Sequence, residues 1–542
     1  MSEQTTGPDP SGRRMLSRRG LFGLVGGAAV AAAIGYSVPF LASAAQTGSL
    51  LTSDLPLPKQ FTRRLPVPPV LRPGSHPDYP DADYYEITER VAMQEILPGV
   101  RTEIWGSNGM FPGPTIMSRT GRRTVIRRTN TLPVPTVTHL HGGHTPPDSD
   151  GFPTDLIYAS TGPGAQPSPA AMMAMTADQM SGMVVDPMAR TTVGQRIYDY
   201  PMHQRATTLW YHDHRMGFTA PDNYHGLAGF HLIHDDEEDA LPLPKGARDM
   251  PLMITDRAFA ADGSFHYPAV DPTLLDTPGT PHQYMAGVLG DVILVNGAPW
   301  PLAEVAAARH RLRFLNASNA RRYTLALDPP PPGGGGLVQI GSDGGLLDRP
   351  IHHDSIDIAP AERFDVVVDF ARYRVGQEVT LVNRLGTGST AAVMRFRITH
   401  TASDDSTIPV RLATLNRLDP SQARGTRGFV FQLNGNSWTI NGQQFDPMKP
   451  AATPKLDDTE IWHFNSDFHH SVHIHLTQFL VVSRNGGPPG PYDAGWKDTV
   501  DLRPAEQVSV IVRFTDYRGR YVMHCHNLEH EDMAMMATIN VT

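Results

Sequence analysis

Cysteine is almost absent: Cys525 is the one thiol in 542 residues. That excludes any intramolecular disulfide, and leaves a lone thiol that is buried and inert, exposed and hazardous, or ligating a metal. A basic excess is missing as well. With 46 Lys and Arg against 55 Asp and Glu, the formal net charge is -9. Such a chain has no basic stripe to hold a phosphate backbone, so nucleic acid is excluded as a partner. Turn formers, by contrast, are plentiful, with 49 Gly and 49 Pro. Short alternating segments between such turns favour an all-β architecture over long helices. The chain is too long for a single core, and its 40% hydrophobic content fills about three compact units.

The amino terminus sets Arg13, Arg14, Arg18 and Arg19 before an apolar, Gly/Ala-rich run from Leu21, followed by Ala42-Ser43-Ala44. This resembles a twin-arginine signal with Arg18 and Arg19 as the pair, cleaved near residue 45. The expectation is export to the periplasm, the cell envelope or the extracellular space. A retained anchor is the alternative reading, since residues 21 to 45 just suffice to span a bilayer.

The rest repeats itself in order. Asn-Gly turns stand in "WGSNGMFPGP" (105 to 114), "LVNGAPWP" (294 to 301) and "TINGQQFDP" (439 to 447). Each is followed by a strand-like run ending in Asn, at Asn130, Asn316 and Asn465. "IAPAERFDVVVDF" (358 to 370) also matches "LRPAEQVSVIVRF" (502 to 514). Three consecutive β-sandwich domains follow, at 46–246, 247–404 and 405–542, with "DPPPPGGGG" (328 to 336) as a surface loop of the middle one.

The middle repeat lacks what the outer two possess. After Asn130 comes "TVTHLHGGH" and after Asn465 "HHSVHIHL", whereas after Asn316 the place is taken by "RRYTLAL". Metal chemistry therefore belongs to the first and third units. Four His-x-His pairs, His139/His141, His212/His214, His473/His475 and His524/His526, each put two imidazoles on one face of a strand. Imidazole alone does not name the metal. Cys525 lies between His524 and His526, so it faces the other way and serves a different site. His530 and Met535 can fold back around the sulfur, and His470 is the expected second nitrogen, with the neighbouring His469 its rival on the wrong face. Two His, a thiolate and a weak axial Met make a blue-copper electron-transfer site.

The motifs "HLHG", "WYHDH", "HSVHIH" and "HCHNLEHEDMAM" resemble those of the multicopper oxidases, over almost the whole chain after the signal. Among these the sequence is most similar to three-domain spore-coat laccases, bilirubin oxidases and phenoxazinone synthases. The resemblance implies three cupredoxin-like Greek-key domains and four copper ions. Type 1 copper falls to His470, Cys525, His530 and Met535, and type 2 to His139 and His473. The type 3 pair falls to His141, His212, His214, His475, His524 and His526. It further implies that a small aromatic donor, phenol or aminophenol, loses electrons singly at the first site while dioxygen becomes water at the second. Asp150 and Glu531 match acids that supply protons; a turn cap and a local salt bridge are the plainer readings. One departure is Ser471, where the family often has Pro.

"PAAMMAMTADQMSGMVVDPMAR" (169 to 190) carries six methionines. Thioethers suit Cu(I), which raises cuprous-ion oxidation as an alternative function, against a plain packing role for Met. A non-enzymatic copper carrier is disfavoured because it has no use for eight further imidazoles. His266, His282, His310, His352 and His353, in the middle unit, read as surface or core residues.

Overall fold

The computed structural model of the chain describes residues 46–167 and 186–542. The segment expected to be a signal and most of the Met-rich segment lie outside the described residues. The fold is almost entirely β: three pairs of facing sheets follow one another along the chain. The α-helices among the described residues are short, Thr219–His225, Asp236–Ala240 and Leu528–Asp532. None is long and apolar enough to cross a membrane.

The same hydrogen-bonding scheme recurs in each unit. The strands Asp83–Glu95, Asp249–Arg257 and Gly425–Asn434 run parallel to Thr124–Asn130, Arg309–Asn316 and Thr459–Ser466 respectively. Each of these last three pairs antiparallel with a further strand, Gln195–Tyr200, Arg363–Asp369 and Gln507–Arg513. The matching "PAE" segments of the second and third units thus enter equivalent strands.

The Asn-Gly dipeptides close equivalent corners. All six residues take positive φ: 56° and 68° at Asn108-Gly109, 50° and 79° at Asn296-Gly297, 54° and 73° at Asn441-Gly442. Asn and Gly are the residues that tolerate this left-handed pair. Each Asn also bridges to the first strand of its unit. Its N–H donates to, and its Oδ1 accepts from, one residue there: Thr88 at 2.7 and 2.9 Å, Met253 at 2.9 and 2.9 Å, Val430 at 2.8 and 2.8 Å.

Residues 46–66, counted with the first unit by sequence, lie along the middle one. Ser49–Leu51 pairs in parallel with Val288–Gly290, and the Phe61 and Leu65 N–H groups donate to Trp300 and Leu302 carbonyls at 2.9 Å each. The reason is an edge: an unpaired strand end in the middle unit offers ladder positions that this arm fills.

Two sheets carry the metal motifs. One, in the first unit, orders Gly113–Arg119, Ala228–His234, Thr207–Asp213 and Thr138–His141; the other, in the third, orders Pro450–Ala452, Met536–Val541, Gly519–Cys525, His470–Ile474 and Thr499–Leu502.

Candidate metal centre

Strand register delivers the histidines. In the first unit Thr138–His141 pairs antiparallel with Thr207–Asp213, setting His139 opposite His212. In the third, His470–Ile474 pairs with Gly519–Cys525, setting His473 opposite His524 and Val472 opposite Cys525. Directly opposed residues share a face and successive residues alternate. Even-numbered His470 and Val472 therefore belong with Cys525, and His473 and His475 with His524 and His526.

On the shared face the eight imidazoles converge. His139 Nε2 lies 3.4 Å from His473 Nε2. The Nε2 atoms of His214, His475 and His524 form a triangle with sides of 3.2, 3.2 and 3.3 Å. His212 Nε2 is 3.4 Å from His141 Nδ1, and the His526 ring stands 5.0 Å from that of His141 and 5.2 Å from that of His212.

Outward nitrogens fix every ring but that of His526; that of His212, for one, is held by its Nδ1 on the Asp213 carbonyl at 2.8 Å. His139 Nδ1 donates to the Asp150 carbonyl (2.6 Å) and His473 Nδ1 to that of Asp498 (2.8 Å). His475 Nδ1 bonds Asp150 Oδ2 (2.8 Å), and His141 Nε2 bonds Asp498 Oδ1 (3.1 Å). Glu531 spans two rings, with Oε2 2.9 Å from His524 Nδ1 and Oε1 3.3 Å from His214 Nδ1. With one nitrogen held outward, the other points inward as a lone pair.

Burial, helped by the neighbouring rings, holds His139, His212, His475 and His526 well below the usual imidazole range, and His214 at about 4. Neutral imidazole is the form that binds metal. Both nitrogens of His526 are buried without a hydrogen-bond partner among the described residues. An orphaned ring beside converging lone pairs fits a cation.

Behind this cluster lies the second site. Cys525 is fully buried, with Sγ 3.4 Å from His470 Nδ1 and 3.6 Å from His530 Nδ1; these two nitrogens are 3.2 Å apart. The Asn527 N–H donates to the sulfur at 3.4 Å. Met535 is tied in through the backbone, its carbonyl accepting from Cys525 N (3.1 Å) and its N–H donating to His530 O (3.0 Å), and its side chain shares the core cluster of Cys525. His469 is not part of this set. Burial acts to lower His470, but the Cys525 thiol and the Asp467 carboxylate, 2.9 Å from its Nε2, outweigh it and lift the ring to about 9. At Ser471, the Oγ donates to the Pro360 carbonyl at 2.6 Å and the carbonyl accepts from His526 N at 2.5 Å.

The two acids expected from sequence both reach ligand histidines. Burial raises Asp150 well above the carboxylate range. For Glu531 burial acts the same way, yet the His524 and His214 rings overcome it and hold the carboxyl at about 2.

Soft thiolate with two imidazoles at one site, and eight imidazoles at the other, is a copper donor set. The multicopper oxidase family models match residues 418–542 and, separately, residues 90–164 and 171–238. A laccase of Bacillus stratosphericus is 35% identical, over 89% of this chain and 99% of its own length. The chain belongs to the multicopper oxidase family. It is also 33% identical to a bilirubin oxidase of Albifimbria verrucaria, over 89% of this chain and 81% of that one. In three dimensions it resembles a laccase of Pediococcus acidilactici, with a TM-score of 0.75 and 30% identity over 91% of this chain and 95% of that one. This multicopper oxidase is of laccase type, a copper oxidoreductase with three cupredoxin domains and His-rich type 1 and trinuclear copper sites.

Several residues at the site carried no signal that was read. Asp467 stands three residues before His470, in the bend between Thr459–Ser466 and His470–Ile474, where strand alternation gives no guide to its direction. Trp438 lies beside the third Asn-Gly turn, and stacks on His530 with ring centroids 3.7 Å apart. Trp210 packs on His212 at 4.3 Å. Asp498, Thr499 and Arg363 have no motif spacing to the histidines they serve.

Proposed function

We propose that this multicopper oxidase oxidises phenols, aminophenols or related aromatic donors one electron at a time and reduces dioxygen to two waters. His470, Cys525, His530 and Met535 would hold the type 1 copper, and His139 and His473 the type 2 copper. One type 3 ion would fall to His141, His212 and His526, the other to His214, His475 and His524. Copper so held supplies a one-electron acceptor at the first site and the electrons for oxygen reduction at the second.

One observation carries this reading: Cys525 faces one site while its covalent neighbours His524 and His526 face the other. No more than one residue of backbone separates the two. The protein's own part is positional and protonic. Outward hydrogen bonds fix the rings, and burial keeps bulk water away. Asp150, whose carboxyl burial raises well above the carboxylate range, and Glu531, bridging His214 and His524, stand where they can pass protons toward the oxygen atoms. A thioether from Met535 at the type 1 site would set a moderate potential, which favours easily oxidised donors. The twin-arginine pattern makes the periplasm, the envelope or the extracellular space its place of work.

The test is to load the chain with copper, count metal, and follow oxygen uptake with a phenol, an aminophenol and bilirubin. Four coppers per chain, uptake with an aromatic donor and an intense visible band lost in Cys525→Ser are expected. A band that survives that substitution, or oxygen uptake with none of the donors, overturns the proposal.

A further inference from the structure

Arg363 opens the strand Arg363–Asp369 of the middle unit, the unit without copper ligands. It is buried, with 1% of its surface exposed. A guanidinium has five N–H donors in a rigid fork, and here all five are used. Nε donates to the Thr208 carbonyl (3.0 Å), on the strand that carries His212. One Nη1 bond goes to the Ala361 carbonyl (3.0 Å) and one to Asp498 Oδ1 (2.7 Å). Nη2 donates to the Asp343 carbonyl (3.2 Å) and to Asp498 Oδ2.

Asp498 is in turn the contact of two ligand rings. Its Oδ1 meets His141 Nε2 and its carbonyl accepts from His473 Nδ1, while Thr499 Oγ1 donates to Oδ1 at 2.8 Å. Asp343, also of the middle unit, grips the same segment, its Oδ2 accepting from the backbone N–H of Asp498 and of Thr499 at 3.3 Å each. The first unit is shaped around this pair. A Cβ on Gly142, the glycine of "HLHG", would lie 2.6 Å from Arg363 Nη2 and 2.6 Å from Asp498 Oδ2. A structural ion pair could be placed anywhere in a core; this one sits where three units meet, against the backbone that follows His141.

We infer that Arg363 is a positioning residue of the copper cluster, fixing Asp498 and through it the rings of His141 and His473. The unit without ligands thereby sets the geometry of the site between the other two. This rests on the reading of the cluster as type 2 and type 3 copper. Lysine cannot substitute, since an ammonium has three donors and no planar fork to match a carboxylate.

The test uses the copper-loaded full chain with Arg363→Lys and Arg363→Met. The visible type 1 band, built within the third unit, reports folding. Expected is a retained visible band, a shifted or lost type 2 resonance, a weakened near-ultraviolet type 3 band, and resistance of the cluster to a chelator lowered roughly 10- to 100-fold. Should both variants lack the visible band, Asp498→Asn, close to isosteric, decides by the same signatures. Wild-type resonance and chelator resistance in a folded variant overturn the role of Arg363. A wild-type chain without a type 2 resonance overturns the reading of the cluster instead.

Discussion

Asp150 and Asp498 occupy equivalent places on opposite sides of the histidine cluster. Each accepts with its backbone carbonyl from a histidine of its own unit, His139 or His473, and with its carboxylate from one of the other unit, His475 or His141. The rings they hold stack in two matching pairs, His139 on His475 and His141 on His473, both with centroids 3.7 Å apart. The partners differ. Asp498 is clamped by Arg363, which with His141 overrides burial and keeps its carboxyl well below the usual range, whereas burial leaves Asp150 well above it.

Asp150→Asn is therefore expected to retain copper and anaerobic reduction of the type 1 site, and to lose roughly 10²- to 10⁴-fold in oxygen turnover. Glu531→Gln should behave likewise. Stopped-flow reoxidation of the reduced enzyme is the measurement, and a reoxidation rate equal to wild type in both variants would remove these acids from proton supply.

Trp438 clamps the type 1 site. It stacks on His530 at 24° from parallel, its Nε1 donates to the Met285 carbonyl at 2.8 Å, and it is fully buried. Trp438→Ala opens a cavity against a ligand ring, at a cost of about 3–5 kcal/mol. A lower denaturant midpoint for bleaching the visible band, with the type 2 resonance intact, is the expected outcome.

Glu362 gives a pH dependence away from the copper ligands. Lys497 Nζ lies 3.2 Å from Glu362 Oε1 and 3.2 Å from Asp343 Oδ2, so one ammonium serves two carboxylates. Burial lifts Glu362 to about 7, Lys497 opposing and Asp343 and Asp501 adding to the rise. Its folded pKa thus exceeds its unfolded one, and between the ordinary Glu value and about 7 the folded state binds more protons. This contribution is full below that window and falls as pH rises through it, by at most about 1.4 kcal/mol per pH unit. Glu362→Gln should remove this slope, read as the difference in urea midpoint between the two chains across that range. Parallel pH profiles would show that Glu362 does not titrate there.

Gly142 takes a φ of 82° and has no room for a Cβ. Gly142→Ala must displace the Arg363 and Asp498 side chains or the backbone beside His141. Loss of the type 2 resonance with the visible band kept is expected, checked by electron paramagnetic resonance; an unchanged spectrum would mean that the pair yields without moving His141.

Much of this site was legible because strand alternation is a local rule. It places Cys525 apart from His524 and His526 and favours His470 over His469 with no knowledge of the fold. The Asn-Gly corners were readable for the same reason, since left-handed backbone restricts the residue at each position. What stayed hidden is what joins distant chain. Asp498 is 357 residues from His141 and Arg363 is 135 from Asp498, and no periodicity spans such gaps. The absence of a His-x-His pair from the middle unit pointed away from it, although its Arg363 and Asp343 reach the cluster's supports. The arm 46–66 follows the same logic, since Ser49–Leu51 pairs with Val288–Gly290, more than 230 residues away, and no local pattern records that pairing.

The strand Gly519–Cys525 leads into a junction where the count of residues sets which site each ligand faces. One residue added between Cys525 and either neighbouring histidine would reverse the facing of everything beyond it. The thiol and the imidazole would then share a side, and one of the two sites would lose a ligand. At this junction the number of residues matters as much as their identity, because the count decides which site each ligand faces.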